Sequence, residues 1–171
     1  MPPAIWTVTY AVETRGEVSM TAERFAQSAA AIFGNPCGWA RGGIAFEPVE
    51  SDAELRLVLA HPDEVAAAAE DCSAEYSCRV RDDVLINDLR WQEATELWSG
   101  SGFGIGAYRH MAVNHEVGHF LGLGHAECPE AGAPAPLMQQ QSKDLGGCTF
   151  NPWPLPDEIT GVGGAEPPAA P

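Results

Sequence analysis

The segment His115-Glu116-Val117-Gly118-His119-Phe120-Leu121-Gly122-Leu123-Gly124-His125 decides how this chain is read. It has the form HExxHxxGxxH, three imidazoles and one carboxylate at a spacing suited to one divalent metal. On a helix, residues four apart lie one turn apart on the same face. The rings of His115 and His119 therefore converge, while Glu116 points toward water held at the metal. The helix must then stop for His125 to reach the same point. Gly122 supplies the left-handed backbone that ends a helix and turns the chain. Three protein ligands leave one position of a tetrahedral Zn²⁺ open, which marks a catalytic site as opposed to a structural one.

Coincidence is a poor explanation. With five His and 18 Gly among 171 residues, HExxH arises in roughly one such chain in a hundred, and the full motif in only a few per hundred thousand. The competing reading makes these imidazoles ordinary surface or core groups, yet three of the five histidines fall within eleven residues. The other two, His61 before Pro62 and His110 near the start of the same helix, read as solvated or capping groups and are not assigned to the metal.

The extended motif resembles that of the metzincin clan of zinc metallopeptidases, in which a methionine in a turn lies beneath the metal. Met138, within Ala135-Pro136-Leu137-Met138-Gln139-Gln140, is the matching methionine. It follows His125 in a Pro-rich loop that cannot be helix interior. A closer resemblance, from about Tyr10 to Trp153, is to a family of uncharacterised bacterial metzincin-like domains. It rests on Ser77-Cys78-Arg79, Ile86-Asn87, Arg90-Trp91, Tyr108-Arg109, Asn114-His115-Glu116, Cys128-Pro129, Leu137-Met138-Gln139-Gln140, Gly147-Cys148 and Asn151-Pro152-Trp153-Pro154. Cys37 is an extra cysteine relative to that pattern.

The motif and the resemblance together imply a zinc-dependent endopeptidase with one catalytic Zn²⁺ on His115, His119 and His125. The metal polarises the scissile carbonyl and lowers the pKa of its water. Glu116 takes the water proton and returns it to the leaving amine. In several metzincin families a tyrosine follows the turn methionine, but here Gln139 and Gln140 do. An extended peptide or protein substrate is expected to pair with an edge strand, from the Tyr76 or Val84 segment. The Met138 loop and Trp153 are expected to line the pocket beyond the scissile bond. The alternatives are a zinc-stabilised extracellular binding module with little or no proteolytic activity, and a domain whose metal and disulfides serve folding alone.

Length and composition fit one domain, residues 1–160, with an upper subdomain of about 4–124 and a lower one of about 125–160. The formal charge of −15 argues against nucleic acid and anionic membrane surfaces as partners, since both are densely negative. The same charge can steer basic peptides, although an acidic surface more often serves solubility. No stretch is long and apolar enough to span a membrane, so no membrane insertion by this segment is expected, and the chain is read as a monomer. Met1-Pro2-Pro3-Ala4 lacks the pattern of a signal peptide. Five cysteines nonetheless point to an oxidising compartment, so a secreted or cell-envelope location is expected. Cys72 and Cys78 flank a short loop, and Cys128 and Cys148 bracket the loop carrying Met138. Bridges within these pairs leave Cys37 unpaired, but other pairings, or five reduced thiols in a cytoplasmic protein, stay open. No CxxC pair points to a second metal.

The expected fold class is α+β and metzincin-like (zincin): a twisted mixed sheet of about five strands, two main helices and a small irregular C-terminal subdomain. Strands are expected at Ile5–Val12, Ile44–Val49, Leu55–Ala60 with clear alternation, Tyr76–Val80 and Asp83–Asn87. A helix capped by Thr21 presents Phe25, Ala29, Ile32 and Phe33 on one face and ends at Gly34 and Pro36. The Ala-rich segment to Glu70 reads as a short helix or a loop. Gly100–Gly106 is a flexible connector into the histidine helix. Residues 161–171, mostly Gly, Pro and Ala, read as a disordered tail.

Overall fold

A computed structural model describes residues 6–163. Strand β1 (Trp6–Arg15) leads into helix α1 (Ala22–Phe33), then a 3₁₀ turn (Trp39–Gly42), β2 (Ile44–Pro48) and β3 (Leu55–Ala60). Helix α2 (Pro62–Ala68), β4 (Cys78–Val80), β5 (Asp83–Asn87), α3 (Asp88–Glu93), α4 (Glu96–Ser99) and α5 (Ile105–Phe120) follow. A largely irregular stretch ends in α6 (Pro156–Gly163). The five strands form one mixed sheet in the order β2-β1-β3-β5-β4. All neighbours are parallel except β4, which runs antiparallel to β5 at the edge. The Tyr76 segment therefore leads into an edge strand. The Val84 segment does not offer one, because β5 is hydrogen-bonded on both sides.

The expected alternation of β3 is not what burial shows. Arg56 is exposed, but Leu55, Leu57, Val58, Leu59 and Ala60 are all buried. Leu57 and Leu59 join Val84 and Ile86 of β5 in the main core, while Val58, Ala60 and Leu85 meet Val65 of α2 on the other side. A parallel strand covered on both faces has no need of a polar row. The Ala-rich segment is thus a helix that seals this second face. Pro62 occupies its first turn, and His61 caps it by accepting the Asp63 N–H on Nδ1 at 3.3 Å.

On the main face, α1 packs against β1 and α5 against β5, and the two helices touch. Helix α1 buries Phe25, Ala29, Ile32 and Phe33 and is capped by Thr21, as the 3.6-residue period requires. Helix α5 buries residues all round, from Tyr108 to Phe120, because sheet, α1 and the C-terminal segment enclose it. It starts at Ile105, so the glycine-rich connector ends at its N-cap, Gly104. Asn87 at the end of β5 caps α3, accepting from the Leu89 and Arg90 N–H groups, while its amide donates to the Ala74 carbonyl at 2.9 Å. That fully buried side chain ties the 72–78 loop to the sheet.

Both cysteine pairings form, Cys72–Cys78 and Cys128–Cys148, and Cys37 is free and exposed. The lower region is less irregular than expected, since α6 packs against the 3₁₀ turn. Residues 161–163 belong to that helix, with Val162 buried, so the tail does not begin at Gly161. The rest of the proposed tail, 164–171, and Ile5 of the first strand lie outside the described residues.

Candidate metal centre

Helix α5 ends in a turn that shapes the site. After the C-cap Leu121, Gly122 has φ +96°, its N–H donates to the His119 carbonyl at 3.1 Å, and the Leu123 N–H donates to the Gly118 carbonyl at 2.9 Å. This paired arrangement is the Schellman stop, and only glycine adopts such a φ freely. The turn also brings the Leu123 carbonyl to 2.9 Å from His119 Nδ1. His115 Nδ1 lies 2.8 Å from the Leu137 carbonyl. A carbonyl oxygen only accepts, so in both rings Nδ1 carries the hydrogen and Nε2 presents a bare lone pair.

The three histidines come together as the motif requires. One nitrogen from each of His115, His119 and His125 lies within 4.8 Å of the others, and His119 Nε2 is 3.1 Å from His125 Nε2. Two imidazole nitrogens sharing one tetrahedral Zn²⁺ at the usual bond lengths stand about 3.3 Å apart. The donor set therefore fits zinc in number and type, and two of its three rings in tautomer. Burial pushes the His115 pKa down to about 3, with the charge of Lys143 and the neighbouring imidazoles adding to it. Burial also lowers His119 and His125. Neutral rings are the form that binds metal. Burial raises Glu116 to about 8, against the opposing charge of Lys143. A nearby dication would draw that carboxyl back toward the ionised form.

Met138 is 1 % exposed and packs beneath α5 at Gly118. A Cβ at position 118 would overlap Met138 Sδ and stand 3.1 Å from Trp39 Cζ2. Glycine in mid-helix costs about 1 kcal/mol against alanine; here it admits the methionine. The turn is fixed from the far side by Glu158 of α6. Its carboxylate accepts the Met138 N–H at 2.7 Å, the Leu137 N–H at 3.0 Å and the Leu155 N–H at 2.6 Å. Gln141 donates to the Pro136 and Asn151 carbonyls and accepts the Asn151 N–H at 2.9 Å. Sequence reasoning found neither Gly118 nor Glu158 as contributors. A glycine between two ligands was the available signal for the first, and no local signal marked the second.

The histidines and Glu116 floor a cleft of about 520 Å³. Its upper wall is the disulfide loop and β4, with Tyr76 and Arg79, and its lower wall is the Gln140–Lys143 segment. The loop beyond Met138 thus lines the cleft, but Trp153 does not. Its ring packs against His110 instead, with centroids 4.7 Å apart. His110 is consequently neither a cap nor fully solvated, and burial lowers its pKa.

A mixed-sheet α/β domain with a three-histidine cluster opening on a cleft is the class that fold and site define. Within it, the chain belongs to the family described as "Protein of unknown function (DUF3152)", which matches residues 4–147. No curated protein matches the chain. Among solved structures, one titled "GM1 bound form of the ECX AB5 holotoxin" is similar at 15% identity and TM-score 0.52, covering 91% of this chain and 78% of that one. At that identity the likeness is one of fold alone.

Proposed function

We propose that the chain is a zinc-dependent endopeptidase of metzincin type, with His115, His119 and His125 as ligands and Glu116 as general base and acid. The observation that carries this reading is the convergence of three histidines, two with Nδ1 engaged by carbonyls, beside a buried carboxyl on a cleft floor. Bound there, zinc would supply Lewis acidity to a substrate carbonyl and a lowered pKa to water.

The chain's own residues do the rest. The Leu137 and Leu123 carbonyls hold two rings in the ligating tautomer. Glu116 removes the proton of the attacking water and delivers it to the departing amine nitrogen. Strand β4 presents an unpaired backbone edge to an extended peptide along the upper wall. Met138 and Gly118 set the floor beneath the rings. The two disulfides support an oxidising, extracellular setting, and among the described residues no helix is long and apolar enough to cross a membrane. The chain acts as a monomer in this reading.

Metal analysis of the purified chain, paired with cleavage of denatured proteins and a peptide library by wild type and Glu116→Gln, tests the proposal. A single zinc per chain is expected, with cleavage reduced by about 10² to 10⁴ in the variant. Absence of zinc binding would overturn the site. Zinc without cleavage by wild type would leave a zinc-stabilised binding module.

A further inference from the structure

The chain carries 24 acidic and nine basic side chains, and Lys143 is its one lysine. The arginines are mostly committed elsewhere. Arg15 and Arg56 pair with Asp83, and Arg41, Arg90 and Arg109 donate to backbone carbonyls. Lys143 and Arg79, in contrast, stand on opposite walls of the histidine cleft, both exposed and without a carboxylate partner among the described residues. The acidic groups lining the same cleft are Asp71 at its rim and the buried Glu116. A chain of strongly negative net charge thus keeps two unpaired cations inside its cleft.

Lys143 is also held in place. The preceding Ser142 hydroxyl is 3.0 Å from the Tyr108 hydroxyl of α5, and the Lys143 N–H donates to the Gln140 carbonyl at 2.9 Å. Its ammonium lies over the Tyr76 ring, 5.0 Å from the centroid, so it reaches across toward the upper wall. This exposed cation–π contact is weaker than a charge-assisted hydrogen bond to a carboxylate, which would displace it.

We infer that Lys143, together with Arg79 of the same cleft, selects peptides bearing a carboxylate close to the scissile bond, either an Asp or Glu side chain or the peptide's own C-terminal carboxylate. This rests on the peptidase reading for cleavage but not for binding. It reverses the expectation that the acidic surface recruits basic peptides, because the exposed basic groups Lys143 and Arg79 line the cleft itself. Lys143 is a specificity residue here and takes no part in proton transfer.

The test uses matched fluorescent peptides with Glu or Gln at each position of a cleavable sequence, each made with a free and an amidated C-terminus. Binding is measured on zinc-loaded Glu116→Gln, alone and combined with Lys143→Ala or Lys143→Glu; cleavage is measured on otherwise wild-type protein. A preference of about tenfold for the carboxylate form is expected. It should vanish with Lys143→Ala and turn toward Lys-containing peptides with Lys143→Glu. Loss on amidation identifies the terminal carboxylate as the source; loss on Glu-to-Gln exchange identifies the side chain. Selective binding without cleavage would sustain the inference and sink the peptidase reading. Cleavage without charge preference, or an equal loss for all peptides in Lys143→Ala, would overturn the inference and leave the peptidase reading standing. Absence of both binding and cleavage would overturn both.

Discussion

Around β3 and β5 the chain is held by apolar side chains packed on both faces of the sheet. Between His125 and Thr160, many of the bonds that set its path run from side chains to backbone. Leu57, Leu59, Val84 and Ile86 are essentially unexposed and belong to one continuous core. Glu158, Gln141 and Asn151, in contrast, hold the Met138 turn and its flanks by hydrogen bonds to main-chain groups. The first kind of region follows from pattern, since burial needs only apolar residues at the right period. The second depends on individual side chains meeting backbone groups distant in sequence. The candidate metal centre takes His115 and His119 from the helix packed on the first region and their floor from the second.

Substitutions can separate the two. Leu57→Ala should lower stability by about 2–5 kcal/mol in urea unfolding, the cost of a cavity in a packed core. Its folded fraction should bind zinc with unchanged affinity. Glu158→Ala should cost about 3 kcal/mol by leaving three N–H groups without their acceptor, and should also weaken zinc binding by about 10–100-fold, because the Leu137 carbonyl that orients His115 is freed. Equal zinc affinities for the two variants would break the distinction between the regions.

The disulfides sharpen it. Replacing Cys128 and Cys148 by serine should cost about 3 kcal/mol and replacing Cys72 and Cys78 about 2 kcal/mol in chemical denaturation, following loop length. The respective sequence separations are 20 and 6. Gly118→Ala tests the seam between the regions. Crowding against Met138 should lower the melting stability by about 1–3 kcal/mol, and adding Met138→Ala should recover part of it. Full tolerance of Gly118→Ala would show that the methionine is not seated against the helix.

A separate effect is one of pH on metal-free protein. Glu116 rises from its ordinary 4.5 to about 8 on folding, so the folded chain keeps a proton that the unfolded chain releases. Stability from this group is therefore complete below about pH 4.5 and is lost as pH climbs toward about 8. Thermal unfolding across that window should show wild type losing ground to Glu116→Gln as pH increases. The opposing contribution of His115, lost as pH falls below 6.5, is common to both proteins and cancels in the comparison.

Much of the upper region was legible in the chain. Thr21, the apolar face of α1 and the position of Gly122 are local signals, and local chemistry decided those elements. Helices α3 and α4 escaped because each is barely a turn or two and depends on Asn87 and Thr95 as caps. The continuation of α6 through residues 161–163 was masked by glycine-rich composition, although Val162 is buried there. Trp153 looked like a pocket residue from its neighbourhood in sequence; its packing on His110 is a contact between segments that no spacing rule contains.

The sequence by itself determined the three clustered histidines, their helical spacing, the glycine that ends the helix and the residues available to bridge. These depend on separations of a few residues, where backbone geometry is nearly fixed. Only the tertiary structure decided that Leu137 orients His115, that Glu158 holds the Met138 turn, that β4 is the free edge, and that the chain's one lysine lines the cleft of the histidines. Each of those is a meeting of segments brought together by burial of the shared core, and the identity of such partners is set by packing, not by local preference.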